Sequence, residues 1–542
     1  MKFFIGGFSW GQNGSQLERF LNDGIWQNGY GGEVYHDIYE KIKPGDLFGL
    51  KSTYVVGKKN EAKKSALKIV NIGIVNDIAD DKTLRIKWLN TPEQRYVDVT
   101  WFSQALVEIT DRFYIDLIFG AAIREIDAGN ILSVLERKRQ IILQGAPGTG
   151  KTYTAKDIAE KLISGTISAD KAQQAHNLNA SGRFKLVQFH PSYTYDDFVR
   201  GIVIENIDDK ILYTTKDKPF LAIANDALKN LNDSRKSQAE VSYEQWVDEQ
   251  IELFKEYVTE IIESKGAFAL TDNVAIRQLD DKAFIYHGDD WTNKISFKDL
   301  KQAFIDNDQS RQDIKHDKNL SRSAFRLATY YYRLLKAFRD YLESKGKNGV
   351  YTESATRQVD IQKYVIIIDE INRANLPAVL GELIYALEYR NEPVDSPYAI
   401  DDSYSFTIPE NLYVIGTMNT ADRSVGQIDY AIRRRFSFVH LLPQILSLPA
   451  FDEPLFKKVS ALFIANYDEY RDNPHIPLQR SEFLSDEFCP EDVWLGHSYF
   501  IMSENDTRNT RLDYEIKPIL KEYVKDGILK PEAGPIINSL RS

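Results

Sequence analysis

The sequence contains almost no cysteine and very little methionine. Of its 542 residues, one is cysteine, Cys489, and three are methionine. A single cysteine excludes an internal disulfide framework and any metal cluster held by several cysteines of one chain. Such cysteine usage is typical of a reducing, intracellular environment, and we therefore expect a cytoplasmic protein.

Long apolar runs are also missing. No stretch approaches the roughly 18 continuous apolar residues that a membrane-spanning helix needs. The first ten residues, MKFFIGGFSW, have glycines and a tryptophan inside their apolar run, so we expect neither a secretory signal nor contact with a membrane. The eight histidines form no cluster with metal-ligand spacing, and no nuclease set of the PD-(D/E)xK type is present. If the protein takes part in DNA cleavage, the cleaving residues must therefore come from another chain.

The charge is acidic and unevenly distributed. A formal net charge of -11 argues against a protein that coats nucleic acid non-specifically. Residues 1–112 contain 15 Lys+Arg and 14 Asp+Glu, a net charge of +1, so the remaining residues carry -12. Nucleic acid, if it is bound, is therefore expected at the first domain or at a local patch.

The most specific motif is a glycine-rich loop between a strand and a helix. The apolar run from Ile141 to Leu143 predicts a buried strand, and Thr152 to Leu162 predicts a helix. All fixed positions of a phosphate-binding loop are filled, which gives these candidate nucleotide-binding residues: Gly145, Ala146, Pro147, Gly148, Thr149, Gly150, Lys151, Thr152 and Tyr153. Lys151 would neutralise terminal phosphates, and the Thr152 hydroxyl would bind Mg²⁺. An ordinary glycine-rich turn is the alternative, but it requires no such order of strand, motif and helix.

Two further apolar runs end in polar residues. Val365 to Ile368 predicts a central parallel strand that delivers Asp369 and Glu370 at its carboxyl end. Asp369 would hold Mg²⁺ through water, and Glu370 would polarise the attacking water. A carboxylate pair can also mark the start of a helix, although the complete phosphate loop upstream favours catalysis. A third strand, Leu412 to Gly416, leads to Asn419, which suits sensing of the terminal phosphate.

Three adjacent arginines, Arg433, Arg434 and Arg435, close a predicted helix that begins near Gly426. They would interact with the negative end of the helix dipole. In a ring-forming nucleotidase they would instead reach phosphates bound by the neighbouring subunit and stabilise transition-state charge. The residue pattern is compatible with both roles.

Residues 1–112 predict a small, mostly β domain with strands at Lys2 to Ile5, Asp46 to Lys51, Ala66 to Val75, Thr83 to Leu89 and Tyr96 to Val99. Trp26 and Tyr30, with Trp10 behind them, are candidate walls of a pocket for an extruded base, and packing in the core is the alternative for each. The stretches GIWQNGY, IKPGDLFGLK, IGIV and IKW resemble the EVE-like and PUA-like fold. That resemblance implies recognition of a modified base in DNA.

The predicted fold class is an α/β nucleotide-binding protein with a helical lid, a mostly β first domain and an inserted α+β segment. Within this architecture, DAGN at 127–130 predicts a helix break, and 164–182 predicts an exposed loop. The predicted domains are 1–112, a helical linker at 113–130, a large subdomain at 131–440 with an insertion at about 206–355, and a lid at 441–542.

Six stretches together carry a family resemblance: GAPGTGKT, VQFHPSYTYDDFVRG, IIIDEINRANLPAVLGELIYALE, GTMNTADRS, AIRRRF and LGHSYF. They resemble the McrB family of AAA+ proteins, which are GTP-hydrolysing motors of modification-dependent restriction systems. The resemblance spans about 131–500 without the insertion. It implies Mg²⁺ as cofactor, GTP as substrate, a ring that we expect to be a hexamer, modified DNA as a partner, and a separate McrC-like nuclease subunit.

The resemblance also implies roles for individual residues. Asn419 and Asp422 would place the catalytic water, and Arg423 would belong to the same signature cluster. Arg434 and Arg435 become the candidates for the arginine finger that acts on the neighbouring subunit. His497 and Ser498 in LGHSYF would complete the lid, with a packed histidine as the alternative.

Two other functions remain open from the sequence. An ATP-driven remodelling protein of the MoxR type would share the same ring arrangement, and a nucleotide-dependent assembly switch would share the same nucleotide pocket. Lys151, Glu370 and Asn419 argue against the switch, because a switch needs no carboxylate that polarises water. Preference for GTP follows from the resemblance alone, since the NTAD stretch at 419–422 imitates the guanine-binding NKxD motif only superficially.

Overall fold

The structure is a computed structural model in which the chain divides into two compact units. The first unit is Met1–Tyr193 with Tyr364–Leu376 and Tyr413–Ser542, and the second is Thr194–Lys363 with Pro377–Leu412. The structure describes residues 1–9, 14–29, 35–56, 64–80, 82–89, 95–97, 104–168, 170–207, 210–288, 291–346, 359–400, 403–422, 428–446, 448, 450–473, 476–502 and 508–540. None of the helices in these ranges combines the length and the apolar character that a membrane span requires.

The first unit begins with a seven-stranded sheet in the order β2-β5-β4-β3-β1-β7, with β6 paired to β4. Its elements are β1 (Phe3–Gly7), α1 (Leu17–Asp23), β2 (Ile25–Gln27), α2 (His36–Tyr39), β3 (Leu47–Val56), β4 (Lys64–Ile78), β5 (Thr83–Trp88), β6 (Arg95–Val97) and β7 (Leu106–Glu108). β1 runs parallel to β3, and the other strand pairs are antiparallel. Strands overlap all five predicted regions, and residues 98 and 99 of the last region lie outside the described residues.

Trp26 lies in the core of this sheet domain. It is 1% exposed, its ring packs against Phe48 at a centroid distance of 4.9 Å, and its Nε1 donates to the Gly7 carbonyl at 2.9 Å. The prediction that Trp26 forms the wall of a base pocket is therefore wrong, because the ring is enclosed and its N–H already has an acceptor. The other two candidates, Trp10 and Tyr30, lie outside the described residues.

A single helix, α3 (Arg112–Lys138), belongs to two cores. It begins at Asp111, whose side chain accepts from the Phe113 amide, and ends at Arg139 with a left-handed backbone. Its first half packs into the sheet domain through Ile115, Ile118, Phe119 and Ala122, and its second half packs into the next core through Ala128, Ile131 and Leu135. The predicted break at 127–130 is wrong, because the helix continues through it.

The first unit contains a second sheet, which carries the predicted phosphate loop and is called the nucleotide-type sheet below. It starts after α3. Its opening elements are β8 (Gln140–Gly145), α4 (Lys151–Ser164), α5 (Lys171–Ala180) and β9 (Phe184–Gln188). The predicted exposed loop at 164–182 is wrong over the span of α5. This helix starts at Asp170, whose side chain accepts from the Gln173 amide, and it buries Gln174 and Leu178.

The second unit holds most of the predicted insertion. Its first elements are α6 (Tyr195–Phe198), β10 (Arg200–Ile207), β11 (Lys210–Asp217), α7 (Pro219–Arg235), α8 (Gln238–Lys265), β12 (Phe268–Thr271), β13 (Val274–Leu279), β14 (Ala283–His287), β15 (Thr292–Ser296), α9 (Phe297–Ile305), α10 (Arg311–His316), α11 (Arg322–Arg326) and α12 (Ala328–Ser344). β12 to β15 form an antiparallel meander, and α8, α9 and α12 share its core.

The chain then completes the nucleotide-type sheet. The elements along this part of the chain are β16 (Tyr364–Asp369), a 3₁₀ turn (Ile371–Arg373), α13 (Leu376–Leu380), α14 (Leu383–Ala386), β17 (Pro393–Ile400), β18 (Ser403–Thr407), β19 (Leu412–Asn419), α15 (Tyr430–Arg433) and β20 (Ser437–His440). β17 and β18 pair with each other in a separate two-stranded sheet. The order of the nucleotide-type sheet is β20-β8-β19-β16-β9. β8 pairs in parallel with β19 and β20, as β16 does with β9. This is the α/β architecture that the sequence predicts, and it brings the ends of β8, β16 and β19 to one edge.

The C-terminal part of the first unit is mostly helical. It contains α16 (Glu453–Ser460), α17 (Tyr467–Asp472), α18 (Pro490–Val493), a 3₁₀ segment (His497–Phe500), α19 (Arg508–Arg511), a π-helical segment (Leu512–Ile516), α20 (Lys517–Lys525) and α21 (Ala533–Ser539). Their apolar faces form one core around Trp494, Phe456 and Phe463.

Candidate nucleotide-binding site

The phosphate loop follows a strand that is buried along its whole length. Gly145, Gly148 and Gly150 have φ values of 155°, 82° and 78°, a region that favours glycine. A Cβ atom on Gly148 would also lie 2.7 Å from Cε2 of Tyr499. The loop therefore requires glycine for its backbone shape and for its contact with the C-terminal part of the unit.

Lys151 is held inside this loop. The residue is 8% exposed, and its Nζ donates to the carbonyls of Gly145 at 3.0 Å and Ala146 at 2.9 Å. Burial lowers the pKa of Lys151 to about 8, and the charges of Glu370 and Asp369 raise it in part. The ammonium group is thus poorly solvated and lies where phosphate oxygens would compensate for the lost water.

Two hydroxyls converge on the carboxylate at the end of β16. Thr152, the first residue after Lys151, donates from its Oγ1 to Oδ1 of Asp369 at 2.6 Å. Thr417, on β19, donates to the same Oδ1 at 2.6 Å. The oxygens of Thr152 and Asp369 are the donor type that Mg²⁺ takes together with phosphates and water, so these residues fit the predicted metal site.

Glu370 has a strained backbone and two side-chain partners. Its φ of 53° and ψ of 46° lie in the left-handed region, which is uncommon outside glycine and concentrates at functional sites. Its Oε1 accepts from Nδ2 of Asn419 at 2.5 Å, and its Oε2 pairs with Nε of Arg373 at 3.2 Å. The structure therefore brings together Lys151, Thr152, Asp369, Glu370 and Asn419, which the sequence predicted from three separate segments.

The C-terminal part of the unit touches the phosphate loop directly. The Gly496 amide donates to the Pro147 carbonyl at 3.0 Å, and the Ser498 amide donates to the Gly148 carbonyl at 3.0 Å. Burial lowers the pKa of the intervening His497 to about 4, and its Nδ1 has no hydrogen-bond partner among the described residues. His497 is therefore a neutral imidazole beside the loop at physiological pH.

The two candidate finger residues of the arginine cluster differ in exposure. Arg434 is exposed, whereas Arg435 is 7% exposed and donates from Nη1 to the Ala431 carbonyl at 2.7 Å. The geometry does not support Arg435 as a finger for a neighbouring subunit, because its guanidinium is enclosed against its own helix. Arg423 lies outside the described residues.

Two further predicted residues, Tyr153 and Asp422, have neighbours outside the group formed by Lys151, Thr152, Asp369, Glu370 and Asn419. Tyr153 is 42% exposed, and its hydroxyl accepts from Nη1 of Arg124 at 2.8 Å. Lys171 Nζ lies 2.8 Å from the centroid of the Tyr153 ring. Asp422 lies close enough to Tyr523 to contribute, after burial and Tyr499, to raising the pKa of that tyrosine.

Sequence reasoning missed Thr417, Arg373 and Gly496. Thr417 had an available signal, because it stands two residues before Asn419 on a strand and therefore shares its face. Gly496 stands in the LGHSYF stretch, but its task depends on a long-range contact: a Cβ atom there would lie 2.0 Å from the backbone carbon of Gly148, which only the folded chain reveals.

Comparison with known proteins identifies one family match and two similar restriction proteins. Residues 330–436 match the AAA domain family described as the dynein-related subfamily. The chain is 33% identical over 224 residues to the Type IV methyl-directed restriction enzyme EcoKMcrB subunit of Escherichia coli (strain K12), covering 36% of this chain and 46% of the relative. It is 34% identical over 92 residues to the Type II restriction enzyme BsuMI component YdiS of Bacillus subtilis (strain 168), covering 14% of this chain and 26% of the relative. The alignments thus span less than half of each relative.

Proposed function

We propose that this chain, which matches an AAA domain family and is similar to an McrB subunit, is the GTP-hydrolysing motor of a modification-dependent DNA restriction system. The observation that carries this proposal is the contact between Glu370 and Asn419 beside the Thr152–Asp369 pair. A binding module needs the loop and the metal ligands alone, whereas a carboxylate positioned by an amide serves the attack of water.

Each residue has a chemical task in this mechanism. Lys151 exchanges its contacts with the Gly145 and Ala146 carbonyls for oxygens of the terminal phosphates. Thr152 and Asp369 would hold Mg²⁺, which would supply positive charge to offset the charge of those phosphates. Glu370 polarises the attacking water, and the Asn419 amide fixes the direction of that carboxylate.

The motor is proposed to act as a ring, expected to be a hexamer. Arg434 follows α15 and is exposed, so its guanidinium suits insertion into the site of a neighbouring subunit. There it would stabilise charge on the transferred phosphoryl group. Residues 441–542 would form the lid of the same subunit, consistent with the contacts of Gly496 and Ser498 with the loop.

The N-terminal sheet domain, residues 1–112, is proposed to be EVE-like or PUA-like and to bind DNA that carries a modified base. Its net charge of +1 contrasts with -12 for the rest of the chain, which favours this domain as the DNA contact. Trp10 and Tyr30 remain the candidate pocket walls. Cleavage is assigned to a separate McrC-like nuclease, and the complex to the cytoplasm.

Phosphate release by the purified protein, measured with GTP and ATP side by side, tests the activity. Lys151→Ala provides the blank, and each measurement is repeated with the partner nuclease. Selective GTP turnover is the expected result. ATP preference would favour a MoxR-like remodelling protein, and no turnover of either nucleotide with the partner present would favour an assembly switch.

Mixing two inactive variants tests the ring and the finger together. Arg434→Ala protomers keep an intact loop, and Lys151→Ala protomers keep an intact finger. If Arg434 acts in trans, random mixing restores about a quarter of the wild-type sites, because half of the protomers have the loop and half of their neighbours supply the arginine. Arg435→Ala protomers mixed with Lys151→Ala show whether complementation is specific to Arg434. No recovery in the Arg434 mixture would contradict a trans finger at this position.

DNA binding by the full chain is tested with duplexes that differ only in base methylation. Tighter binding of a modified duplex is expected, with a salt dependence that reports phosphate contacts. Equal affinity for both duplexes would remove modified-base recognition from the proposal.

A further inference from the structure

Thr417 lies beside the two carboxylates that follow β16, Asp369 and Glu370. It is on β19, two residues before Asn419, and is 1% exposed. Side chains at alternate positions of a strand share one face of the sheet. Thr417 and Asn419 therefore contact Asp369 and Glu370, respectively, from the same face of the sheet.

One hydroxyl group contacts both residues of the carboxylate pair. Oγ1 of Thr417 donates to Oδ1 of Asp369 at 2.6 Å and accepts from the backbone amide of Glu370 at 3.1 Å. A hydroxyl can donate and accept at once. A methyl group in its place would do neither, and it would leave the Glu370 amide without this acceptor.

Thr417 accepts from the amide of the residue that has the strained backbone. That residue is Glu370, whose φ and ψ lie in the left-handed region. Such a conformation is strained outside glycine and persists where the surroundings hold it in place. The carboxylate of the same residue then reaches Asn419 on one oxygen and Arg373 on the other.

We propose that Thr417 is a positioning residue for hydrolysis. It orients the Asp369 carboxylate toward Thr152, and it holds the Glu370 backbone in the conformation from which its side chain meets Asn419. Thr417 contacts neither water nor nucleotide in this role. The inference rests on the proposed hydrolytic function, and it adds a residue that links the metal-binding carboxylate to the water-polarising one.

The test compares Thr417→Val, which keeps the shape, with Thr417→Ser, which keeps the hydroxyl. Turnover, affinity for a fluorescent nucleotide and the Mg²⁺ concentration for half-maximal binding are measured for each. Val is expected to lower kcat about 10–100-fold and to raise the Mg²⁺ requirement about 10-fold, as for residues that orient metal ligands. Nucleotide affinity at saturating Mg²⁺ stays within about 3-fold, and Ser recovers most of the loss.

Thr83→Val is the matched control. Thr83 is also a strand residue with low exposure, 9%, and its hydroxyl accepts from Nε2 of Gln27 at 3.2 Å in the sheet domain. The control should leave turnover and the Mg²⁺ requirement unchanged. If Thr417→Val does not fold, Thr417→Ala is judged by the same criteria.

The outcomes separate this inference from the proposed function. Wild-type turnover with an unaffected Thr417→Val variant would overturn the role of Thr417 and leave the motor intact. A Ser variant as impaired as Val would also overturn it, because packing rather than the hydroxyl would then matter. If the wild type hydrolyses neither nucleotide, the proposed function fails, and the Mg²⁺ titration alone decides: an unchanged requirement in Thr417→Val overturns the positioning role.

Discussion

Two buried lysines in the first unit have the same shifted pKa and different surroundings. Lys51 in the sheet domain is 3% exposed and Lys151 in the phosphate loop is 8% exposed. Burial lowers the pKa of both to about 8. Lys51 donates to the backbone carbonyl of Gln104, whereas Lys151 lies among loop carbonyls and within the field of two carboxylates. Burial and residue type are therefore shared, and the neighbours at the strand ends distinguish the functional lysine.

Tightly packed glycines show the same contrast. A Cβ atom on Gly6 would lie 2.4 Å from Cζ of Phe48, so this glycine makes room for core rings. A Cβ atom on Gly496 would meet the backbone of Gly148, so that glycine lets one segment reach the phosphate loop. Changes in the sheet domain are expected to lower stability, and changes at the nucleotide site are expected to lower turnover without loss of stability.

Glu370→Gln should give the largest effect. The amide keeps the shape of the side chain and cannot polarise water, so turnover should fall about 10³-fold or more while nucleotide binding is retained. The thermal midpoint should stay within about 2 °C, since no packing is lost. Phosphate release and calorimetry measure the two quantities. Glu40→Gln, at a carboxylate that is 67% exposed, is the control, and turnover by Glu370→Gln close to wild type would contradict the catalytic assignment.

Trp26→Ala should show the opposite behaviour. Removing this enclosed ring should lower the free energy of unfolding by about 3–5 kcal/mol, with turnover per folded molecule unchanged. Denaturant unfolding measures the free energy of unfolding, and the phosphate-release assay measures turnover per folded molecule. Trp291→Ala, at a ring that is 39% exposed, should lose less. Lost DNA binding at wild-type stability would instead place Trp26 in a ligand pocket.

The pH dependence of nucleotide affinity distinguishes Lys151, which would bind phosphate, from Lys51, which would not. Lys151 must be protonated to bind phosphate, and its pKa in the free protein is about 8. Affinity should therefore be constant below this pH and fall about tenfold per pH unit above it, because the phosphate, with a second pKa of about 6, is already ionised. Nucleotide titrations between about pH 7 and 9.5 measure the curve. Lys51→Met should leave the curve unchanged, and a flat wild-type curve would contradict the lowered pKa of Lys151.

Local patterns explain what the sequence predicted. The apolar runs before Gly145, Asp369 and Asn419 specify parallel strands, and parallel strands bring their carboxyl ends to one edge. The residues of the chemistry follow those runs directly, so their meeting could be inferred without coordinates. The strand regions of the first domain were likewise visible in their own residues.

Long-range packing explains what the sequence did not predict. Gly129 costs α3 about 1 kcal/mol relative to alanine, but burial of Ala128 and Ile131 on either side of it favours the continuous helix. The segment after residue 164 looked like a loop because it is polar, yet the buried Gln174 donates to Asp157 at 2.7 Å. Trp26 could not be distinguished from a pocket residue, since aromatic content alone does not reveal which rings are enclosed.

Asp308→Asn in the second unit should give the smallest effect and extends the comparison to a region without assigned chemistry. Asp308 is 7% exposed, and its Oδ2 has no hydrogen-bond partner in the described part of the chain. Burial first, and then the charges of Asp317, Asp313 and Asp306, raise its pKa to about 6 against the opposing charge of Arg339.

The sign of the pH effect follows from this raised pKa. The folded protein binds the proton of Asp308 more tightly than the unfolded chain does, because an Asp carboxyl group in the unfolded chain has a pKa of about 3.9. The ionised group therefore lowers stability increasingly between about pH 4 and 6 and fully above that range. The whole pKa shift corresponds to about 3 kcal/mol, and solvent screening of this partly solvated group reduces it. Asp308→Asn should therefore raise the free energy of unfolding by about 1–2 kcal/mol at about pH 8 and by nearly nothing at about pH 4. Denaturant unfolding at both pH values measures the difference, and Asp272→Asn is the control at an exposed carboxylate. A stability gain that is equal at both pH values would show that ionisation of Asp308 is not the cause.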